Sequence, residues 1–307
     1  MTTLLTGHGL VGARVVAQLR ARGEQVVVYD LAPPEPGPGI VPIAGDLLDL
    51  AALVEAVRRH RPERILHTAG LLTPAGVTRP HDTVRVNVLG TANVLEAARL
   101  EQVGRVVLTS SVVVYDRTVA SDRVTEDHPC APATVYAATK RSAELLGGAY
   151  ARSFGLSFLT LRYAAAYGPA ERPGGGVSRL IHETLGTAIA DGRASLKRRW
   201  AGRQELLYSE DAASALIAAG FAVAPRHTTF NIGSGEPVTV AELARAIGAA
   251  GGGAAIEVVD AGADANPDVI DAPLDLTRAA DELGWRPRFD LRRGLAEHAA
   301  WLRARRH

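Results

Sequence analysis

The first half of the chain alternates short apolar runs with longer stretches in which apolar residues recur every three or four positions. Runs of the first kind predict buried strands, and stretches of the second kind predict amphipathic helices. Strands are predicted at residues 2–6, 25–30, 40–46, 64–70, 105–111 and 156–163. Helices are predicted between them at residues 10–22, 52–60, 83–101 and 133–154. Regular alternation of this kind indicates a parallel sheet covered by helices on both faces.

The alternation changes after Tyr167, where a segment rich in glycine and proline begins. The pattern beyond it predicts a helix at about 177–190, a helix at 209–223 and a strand at 228–233. We expect this second helix and strand to return to the main sheet. Residues 237–307 predict a helix, a short strand and two closing helices, which fits a smaller lobe at the C-terminal end.

Composition and charge narrow the function classes. The chain has 307 residues, 47 % of them hydrophobic, and a net charge of +1, so neither nucleic acid nor a membrane surface is an expected partner. No stretch reaches the roughly 20 apolar residues of a membrane helix, and the N-terminus lacks a signal-peptide pattern. A cytoplasmic location is therefore expected. The single cysteine, Cys130, excludes an internal disulfide and a multi-cysteine metal site, and no metal is predicted.

A glycine-rich loop follows the first predicted strand directly and precedes the first helix. Its sequence, TGHGLVG at residues 6–12, carries the spacing G-x-G-x-x-G at Gly7, Gly9 and Gly12. In this context the three glycines allow a tight turn, close approach of a pyrophosphate and close packing of helix on strand. The helix that starts at Leu10 and Val11 offers N–H groups and a positive dipole end to phosphate. The loop predicts a dinucleotide site, which also includes His8.

Asp30 ends the second predicted strand, 18 residues after Gly12. A carboxylate at this place accepts hydrogen bonds from the adenosine ribose hydroxyls and repels a 2′-phosphate. The predicted cofactor is therefore NAD rather than NADP.

A serine, a tyrosine and a lysine form the candidate catalytic group. Tyr136 and Lys140 are four residues apart on a predicted helix and share one face, while Ser111 ends the preceding strand. A nearby ammonium favours the phenolate form of a tyrosine, which then accepts a proton from a substrate hydroxyl. Lys140 is one of only two lysines in a chain that otherwise uses arginine, and the two cations differ in size and geometry.

These motifs together make the chain resemble the extended short-chain dehydrogenase/reductase family, the NAD-dependent epimerase/dehydratase group. The resemblance spans nearly the whole chain and includes GDLLD at 45–49, ILHTAG at 65–70, YAATK at 136–140, LRYAAAYGP at 161–169 and LGWRP at 283–287. It implies a catalytic set of Ser111, Tyr136 and Lys140. It also implies a homodimer and a carbohydrate-like small-molecule substrate.

The resemblance implies a fold class and a set of cofactor contacts. The expected fold is α/β, a Rossmann-type doubly wound parallel sheet with a smaller C-terminal substrate-binding lobe. The NAD-binding domain is expected at 1–167, with 206–231 crossing back to it, and the substrate lobe at 168–205 and 232–307. Beyond the glycine loop and the catalytic pair, the implied cofactor contacts are Asp30, Asp46, Leu47, Thr68, Ala69, Gly70, Asn87, Thr109 and Tyr163. The implied substrate contacts are Ser111, Val112, Tyr136, Ala165 and Arg203.

Departures from the family pattern bear on the chemistry. The glycine loop is one residue shorter than the usual form. Val112 and Val113 stand where related dehydratases carry an acid pair, and Val113 also stands where some epimerase-reductases carry a cysteine. Valine neither donates nor accepts a proton, so dehydration and that epimerisation chemistry are disfavoured.

The substrate side also departs from the pattern. Ala165 stands where members that bind nucleotide diphosphates have an asparagine, and Gln204 stands near the place of their arginine, with Arg203 one residue away. The leading hypothesis is an NAD-dependent oxidoreductase that acts at a secondary hydroxyl of a sugar, sugar acid or related polyol. A nucleotide-sugar 4-epimerase with tightly bound NAD is the alternative. A non-catalytic NAD-binding regulator is a third hypothesis, disfavoured by the intact Ser–Tyr–Lys set.

Overall fold

A computed structural model describes residues 1–118, 120–171, 174–198, 200–260 and 270–305 of the protein. These residues form twelve strands and eleven α-helices. The strands are β1 (Thr2–Thr6), β2 (Gln25–Asp30), β3 (Ile40–Ala44), β4 (Arg64–His67), β5 (Arg105–Ser111), β6 (Phe158–Tyr163), β7 (Ala165–Tyr167), β8 (Arg193–Arg198), β9 (Arg203–Tyr208), β10 (Thr229–Ile232), β11 (Pro237–Thr239) and β12 (Ala255–Asp260). The helices are α1 (Leu10–Ala21), α2 (Leu50–His60), α3 (Thr73–Thr78), α4 (Pro80–Val84), α5 (Gly90–Leu100), α6 (Val135–Phe154), α7 (Val177–Asp191), α8 (Ser209–Phe221), α9 (Val240–Ala250), α10 (Thr277–Leu283) and α11 (Leu291–Ala304).

The central sheet has seven parallel strands in the order β10-β6-β5-β4-β1-β2-β3. Successive residues of β1 enter different cores, because side chains alternate between the two faces of a strand. Leu5 joins the core formed with α1 and α8, whereas Leu4 joins the core formed with α2, α5 and α6. Strands buried on both faces read as continuous apolar runs, which is why the sequence predicts them well. The predicted doubly wound α/β fold is confirmed.

The smaller lobe is built on two small sheets and a third core. One sheet has the order β11-β9-β7, and the other pairs β12 with β8 in parallel. Helices α7, α9 and α11 pack against them through apolar side chains such as Ile181, Leu243 and Leu295, which are fully buried. Within the described ranges, no helix is both long enough and apolar enough to cross a membrane.

The division between the two lobes differs from the predicted one at three places. Strand β7, predicted within the NAD-binding domain at 1–167, belongs to the small sheet. Strand β9 pairs with β7 and β11 in the small sheet, so the chain crosses back with α8 at Ser209, not at residue 206. The segment around α10 also returns to the main core, where Trp285 is buried and donates from Nε1 to Ser214 Oγ at 2.9 Å.

The predicted helix at 83–101 is interrupted. Helix α4 ends at Val84, a π-helical turn spans Arg85–Leu89, and α5 begins at Gly90. A π-helical turn inside a helix is often found at a functional site. Here the turn places Asn87 inside the protein, with 3 % of its surface exposed.

Candidate active site

The glycine loop lies at the carboxyl edge of the central sheet, directly after β1. Gly7 has a φ of +90°, and a Cβ there would lie 2.6 Å from the backbone nitrogen of Ala69. Thr68 Oγ1 lies 2.9 Å from the carbonyl oxygen of Gly7 and holds the loop from below. A Cβ on Gly9, in contrast, would meet no atom within 4 Å. The loop is therefore packed on its protein side and open at Gly9, where Leu10 and Val11 begin α1.

Asp30 anchors the same loop from the neighbouring strand. Its Oδ2 accepts from the backbone N–H of His8 at 2.7 Å, and its Oδ1 accepts from Ala32 N–H at 2.8 Å. Burial lowers the pKa of His8, and the Asp30 charge opposes this shift only in part. The His8 imidazole is therefore neutral near pH 7, while the Asp30 carboxylate stands at the rim of the loop.

Asp46 and Leu47 follow β3 at this edge. Asp46 Oδ1 accepts from Leu48 N–H at 2.9 Å, and its side chain is exposed. Leu47 is buried, and its carbonyl oxygen accepts from Asn93 Nδ2 at 2.8 Å. Both residues stand at the carboxyl edge of the sheet, directly after β3.

The tyrosine–lysine pair stands on the first turns of α6. The helix begins at Val135, because the Thr134 side chain caps it by accepting from Ala137 N–H at 3.2 Å. Lys140 Nζ lies 5.9 Å from the centroid of the Tyr136 ring and donates to the Thr109 carbonyl oxygen at 2.9 Å. Burial lowers the pKa of Lys140 to about 8, although Glu144 opposes the shift.

The two serines at the end of β5 point to opposite faces. Ser110 donates to Glu144 Oε1 at 2.6 Å inside the protein. Ser111 Oγ instead accepts from Val113 N–H at 3.4 Å, at the start of a short 3-10 turn over Val112–Val114. Ser111 therefore lies on the face opposite Ser110, at the carboxyl edge of β5 and next to Val112.

Asn87 connects the loop after β4 to the tyrosine helix. Its Oδ1 accepts from Leu71 N–H at 2.7 Å, and its Nδ2 donates to the Leu71 carbonyl oxygen at 2.9 Å. The same Nδ2 lies 3.0 Å from Thr139 Oγ1, which in turn donates to the Tyr136 carbonyl oxygen at 2.7 Å. A Cβ on Gly70 would lie 3.0 Å from Asn87 Oδ1, so the loop lies tightly on this amide.

A buried histidine extends this network to β1. His67 lies 2.6 Å from Thr6 Oγ1 through Nδ1 and 2.9 Å from Thr91 Oγ1 through Nε2. Because Thr91 Oγ1 donates its own proton to the Asn87 carbonyl oxygen at 2.6 Å, it accepts from His67, which assigns the proton to Nε2. Burial lowers the pKa of His67 to about 3, and Lys140 adds to this, so the ring is neutral.

A buried ion pair fixes α6 on β6 below the site. Arg162 Nη2 lies 2.8 Å from Glu144 Oε2, and both side chains are almost fully buried. Burial alone would raise the pKa of Glu144, but the hydrogen bonds and charge of Arg162 outweigh burial and hold it below its usual value. The helix that carries Tyr136 and Lys140 is therefore held by a charged pair with satisfied oxygens.

The structure places two of the expected site residues elsewhere. The Arg203 side chain is 45 % exposed, and its guanidinium donates to the Pro237 carbonyl oxygen at 2.7 Å and pairs with Glu242 at 3.2 Å. The Tyr163 ring is buried in the core against α8, and its hydroxyl donates to the Ala212 carbonyl oxygen at 2.6 Å. The polar groups of both side chains are thus used in contacts within the protein.

Comparison with known proteins identifies the family. A sequence profile of the NAD dependent epimerase/dehydratase family matches residues 3–233. The chain belongs to this family. It is 32 % identical over 192 residues to a dTDP-glucose 4,6-dehydratase of an Actinoplanes species, a match that covers 59 % of this chain and 55 % of that protein. The chain thus spans about half the length of the curated relatives it matches.

Two solved structures match this chain over nearly its full length. A UDP-glucose 4-epimerase from Thermus thermophilus, in complex with NAD, is 28 % identical with a TM-score of 0.87, and 99 % of each chain is covered. MoeE5 in complex with UDP-glucuronic acid and NAD is 30 % identical with a TM-score of 0.86, and the match covers 99 % of this chain and all of that chain.

The site residues fit the NAD on which the family depends. Gly9 leaves the N-terminal end of α1 open to a phosphate, as a pyrophosphate-binding loop requires. Asp30 stands at the end of β2 with an acceptor carboxylate. Lys140 has three N–H donors and uses one on Thr109, so two remain for a ribose. The glycine loop is one residue shorter than the usual family form. It remains compatible with bound NAD, because Thr68 and Asp30 hold the loop by hydrogen bonds.

Some residues of the network escape prediction from sequence. Thr6, His67, Thr91 and Thr139 look like ordinary members of strands and helices. The register between β1 and β4 sets Thr6 against His67, whereas helix packing brings Thr91 to His67 and Thr139 to Asn87. The sequence singles out Gln204 only as a departure from the family pattern, whereas in the structure this residue lines a small cavity together with Val112 and Ala165.

Proposed function

We propose that the protein is an NAD-dependent oxidoreductase that acts at a secondary hydroxyl of a carbohydrate-like small molecule. The observation that carries the proposal is the buried Lys140 ammonium beside Tyr136 at the same sheet edge as the open glycine loop. NAD, when bound, supplies the chemistry of hydride acceptance and return.

The chain's own residues handle the proton and the alignment. Tyr136 takes the proton of the substrate hydroxyl through its phenol oxygen, because the Lys140 ammonium favours the phenolate. Ser111 holds the same substrate oxygen by a hydrogen bond. Asn87 and Thr139 keep the Tyr136 backbone and the loop at Gly70 in fixed relation, so the phenol is oriented before substrate arrives.

The cofactor contacts belong to this proposal. Residues 7–12 and Asp30 would bind the adenosine and pyrophosphate part, and Asp46 and Leu47 would flank the adenine. Thr68, Ala69, Gly70, Asn87 and Thr109 would line the path to Lys140. We assign Tyr163 no side-chain contact, because its hydroxyl is used in the core.

A second candidate is a nucleotide-sugar 4-epimerase with tightly bound NAD. The observation in its favour is the full-length likeness to the Thermus thermophilus UDP-glucose 4-epimerase and to MoeE5. Both candidates use the same three side chains, and they differ in whether the cofactor is reduced in net turnover.

A homodimer in the cytoplasm completes the proposal. Helices α5 and α6 lie side by side and expose apolar side chains, among them Leu100, Leu145 and Phe154. Exposed apolar surface on neighbouring helices favours association with a second copy. The cytoplasmic location accords with the NAD dependence of the family.

Replacing Tyr136 by phenylalanine tests the proposal. We expect Tyr136→Phe to lose activity by at least about a hundredfold, the usual size of a general acid–base contribution, while NAD binding is retained. The measurement is turnover of sugars and polyols followed by NADH absorbance, together with NAD affinity by calorimetry. Normal turnover in this variant would contradict the assigned role.

Cofactor released from the denatured protein separates the two candidates. About one NAD per chain that survives purification supports the epimerase. An empty site that binds added NAD reversibly supports the dehydrogenase.

A further inference from the structure

A chain of side-chain hydrogen bonds runs from the end of β1 to the π-helical turn. Thr6, the last residue of β1, is the register partner of His67, the last residue of β4. Thr6 Oγ1 lies 2.6 Å from His67 Nδ1, and His67 Nε2 lies 2.9 Å from Thr91 Oγ1. Thr91 Oγ1 lies 2.6 Å from the Asn87 carbonyl oxygen, and none of these four residues is more than 3 % exposed. One buried imidazole thus joins the strand that carries the glycine loop to the π-helical turn.

The imidazole sets the direction of each proton in this chain. A threonine hydroxyl has a single proton, and the Asn87 carbonyl oxygen only accepts. Thr91 therefore donates to Asn87 and accepts from His67 Nε2–H, which leaves Nδ1 to accept from the Thr6 hydroxyl. With the ring proton on Nδ1 instead, Thr91 would donate to the ring and the Asn87 carbonyl would lose its bond. The tautomer of His67 thus decides whether Thr91 holds the π-helical turn.

The amide of Asn87 connects this turn to both sides of the candidate site. Its Oδ1 accepts from Leu71 N–H at 2.7 Å. A Cβ on Gly70, one residue earlier, would lie 3.0 Å from Asn87 Oδ1 and 3.6 Å from Lys140 Nζ. On its other side, Asn87 Nδ2 lies 3.0 Å from Thr139 Oγ1 on α6. A shift of Asn87 would therefore move the loop after β4 relative to the helix that carries the catalytic pair.

We propose that His67 is a positioning residue for the reaction at Tyr136: as the Nε2–H tautomer it directs the Thr91 hydroxyl onto the Asn87 carbonyl and so fixes Asn87 between the loop at Gly70 and α6. The inference rests on the proposed function, because it assigns a role within the same site. His67 acts through Thr91 and Asn87 and not on the reacting atoms. An apolar side chain of similar volume would fill the space, but it would remove one partner of each neighbouring hydroxyl.

The tautomer of His67 is measurable without turnover. Long-range ¹H–¹⁵N NMR of protein labelled with ¹⁵N-histidine distinguishes a protonated ring nitrogen from an unprotonated one. Loss of one set of signals in His67→Gln assigns His67 among the nine histidines. We expect the Nε2–H form throughout about pH 5 to 8, since burial and the Lys140 charge lower the pKa of His67 to about 3. A proton on Nδ1, or a change of protonation in this range, would overturn the proposal.

Two amide variants separate the two hydrogen bonds of the ring. Glutamine at position 67 places an N–H donor near the place of Nε2 and still reaches Thr91, whereas asparagine reaches only the place of Nδ1 and Thr6. In the NAD-saturated protein, we expect the Leu71 amide to exchange with deuterium about tenfold faster in His67→Asn than in the wild type, the loss of about one hydrogen bond. His67→Gln is expected to recover most of the protection.

A second amide reports general loss of stability. Ala164 N–H, directly after β6, donates to the Ile232 carbonyl oxygen at 2.8 Å and lies outside the chain of hydrogen bonds. Its exchange is expected to be the same in all three proteins. Equal exchange of Leu71 in the two variants, or equal acceleration at Leu71 and Ala164, would contradict the positioning role.

Kinetics report whether this positioning matters to the reaction. With an aldose or alditol that the wild type oxidises, we expect His67→Asn to lower kcat about tenfold and to leave KM within about twofold, while His67→Gln restores most of kcat. A kcat of His67→Asn equal to that of the wild type would refute the proposal. Should His67→Asn not fold, Thr91→Val against Thr91→Ser makes the same comparison, because serine keeps the hydroxyl that valine lacks.

The two proposals fail in different ways. Absence of turnover by the wild type on every substrate, with NAD bound, counts against the oxidoreductase function, and the NMR and exchange measurements then still decide on His67. Wild-type turnover that persists undiminished in His67→Asn leaves the oxidoreductase function standing and overturns the role of His67.

Discussion

At the residue scale, Lys140 is the side chain whose burial has a measurable cost. Only 6 % of its surface is exposed, and burial lowers its pKa from 10.5 to about 8, with Glu144 acting against the shift. Between these two pH values the unfolded chain binds a proton that the folded chain does not. The contribution of Lys140 to the free energy of unfolding therefore rises as the pH rises from about 8 to 10.5.

Replacing Lys140 by methionine should remove this pH dependence. We expect the wild type to gain about 3 kcal/mol in unfolding free energy relative to Lys140→Met between pH 8 and 10.5. Urea unfolding of both proteins in the absence of cofactor across this range measures the difference. Lys197→Met, at an exposed lysine, is the control for loss of a lysine as such. Parallel pH profiles for Lys140→Met and the wild type would refute the argument.

Individual residues were predictable where a motif places them at a sheet edge. Asp30 and Ser111 end strands, Gly7 directly follows one, and Tyr136 and Lys140 lie in the first two turns of α6. Side-chain direction within a short strand was not predictable in the same way. Arg203 pairs with Glu242, whereas the next residue, Gln204, lines a small cavity with Val112 and Ala165. The sequence of β9 carries no alternation that decides between these two directions.

At the scale of elements, α6 approaches the sheet closely at one glycine. A Cβ on Gly147 would lie 2.0 Å from the Phe158 ring, which is buried on β6. A Cβ on the next residue, Gly148, would meet only the flexible end of Arg152 at 3.4 Å. The absence of a side chain at Gly147 thus brings the helix that carries Tyr136 and Lys140 against β6.

Alanine at these two neighbouring glycines should have opposite effects. Gly147→Ala is expected to destabilise the protein by about 1–3 kcal/mol, because the methyl group overpacks the contact with Phe158. Gly148→Ala is expected to stabilise it by up to about 1 kcal/mol, since alanine is the better helix former. Thermal or denaturant unfolding of the two variants measures the difference. Similar stability for both variants would show that the close packing at Gly147 does not contribute to the free energy of unfolding.

Long amphipathic elements were predictable, and their interruptions were not. The pattern at 83–101 satisfies one continuous helix, yet a π-helical turn divides it at Arg85–Leu89. The turn is stabilised by contacts that are distant in sequence, chiefly those of Asn87 with Leu71 and Thr139. Local periodicity does not report such contacts.

At the scale of the whole molecule, the exposed apolar side chains on α5 and α6 are the basis of the proposed dimer. Leu145 is 57 % exposed and Phe154 56 % exposed on α6. We expect Leu145→Arg to shift the protein from dimer to monomer in sedimentation equilibrium, because a charge at the centre of an apolar interface is buried without a partner. Val223→Arg, at a valine that is 91 % exposed at the end of α8, is the matched control. A monomeric wild type would contradict the proposed dimer.

The return of the chain to the main sheet has a consequence for synthesis on the ribosome. Among the described strands, β10 lies at the edge of the central sheet and pairs with β6, and Trp285 enters the same core still later in the chain. Until these residues are made, β6 is an exposed edge, and chains grow at roughly 5–20 residues per second. An open strand edge pairs readily with other chains. We therefore expect each growing chain to depend on chaperones for several seconds, and truncated or stalled chains to depend on them throughout. In the finished molecule β10 covers the edge of β6.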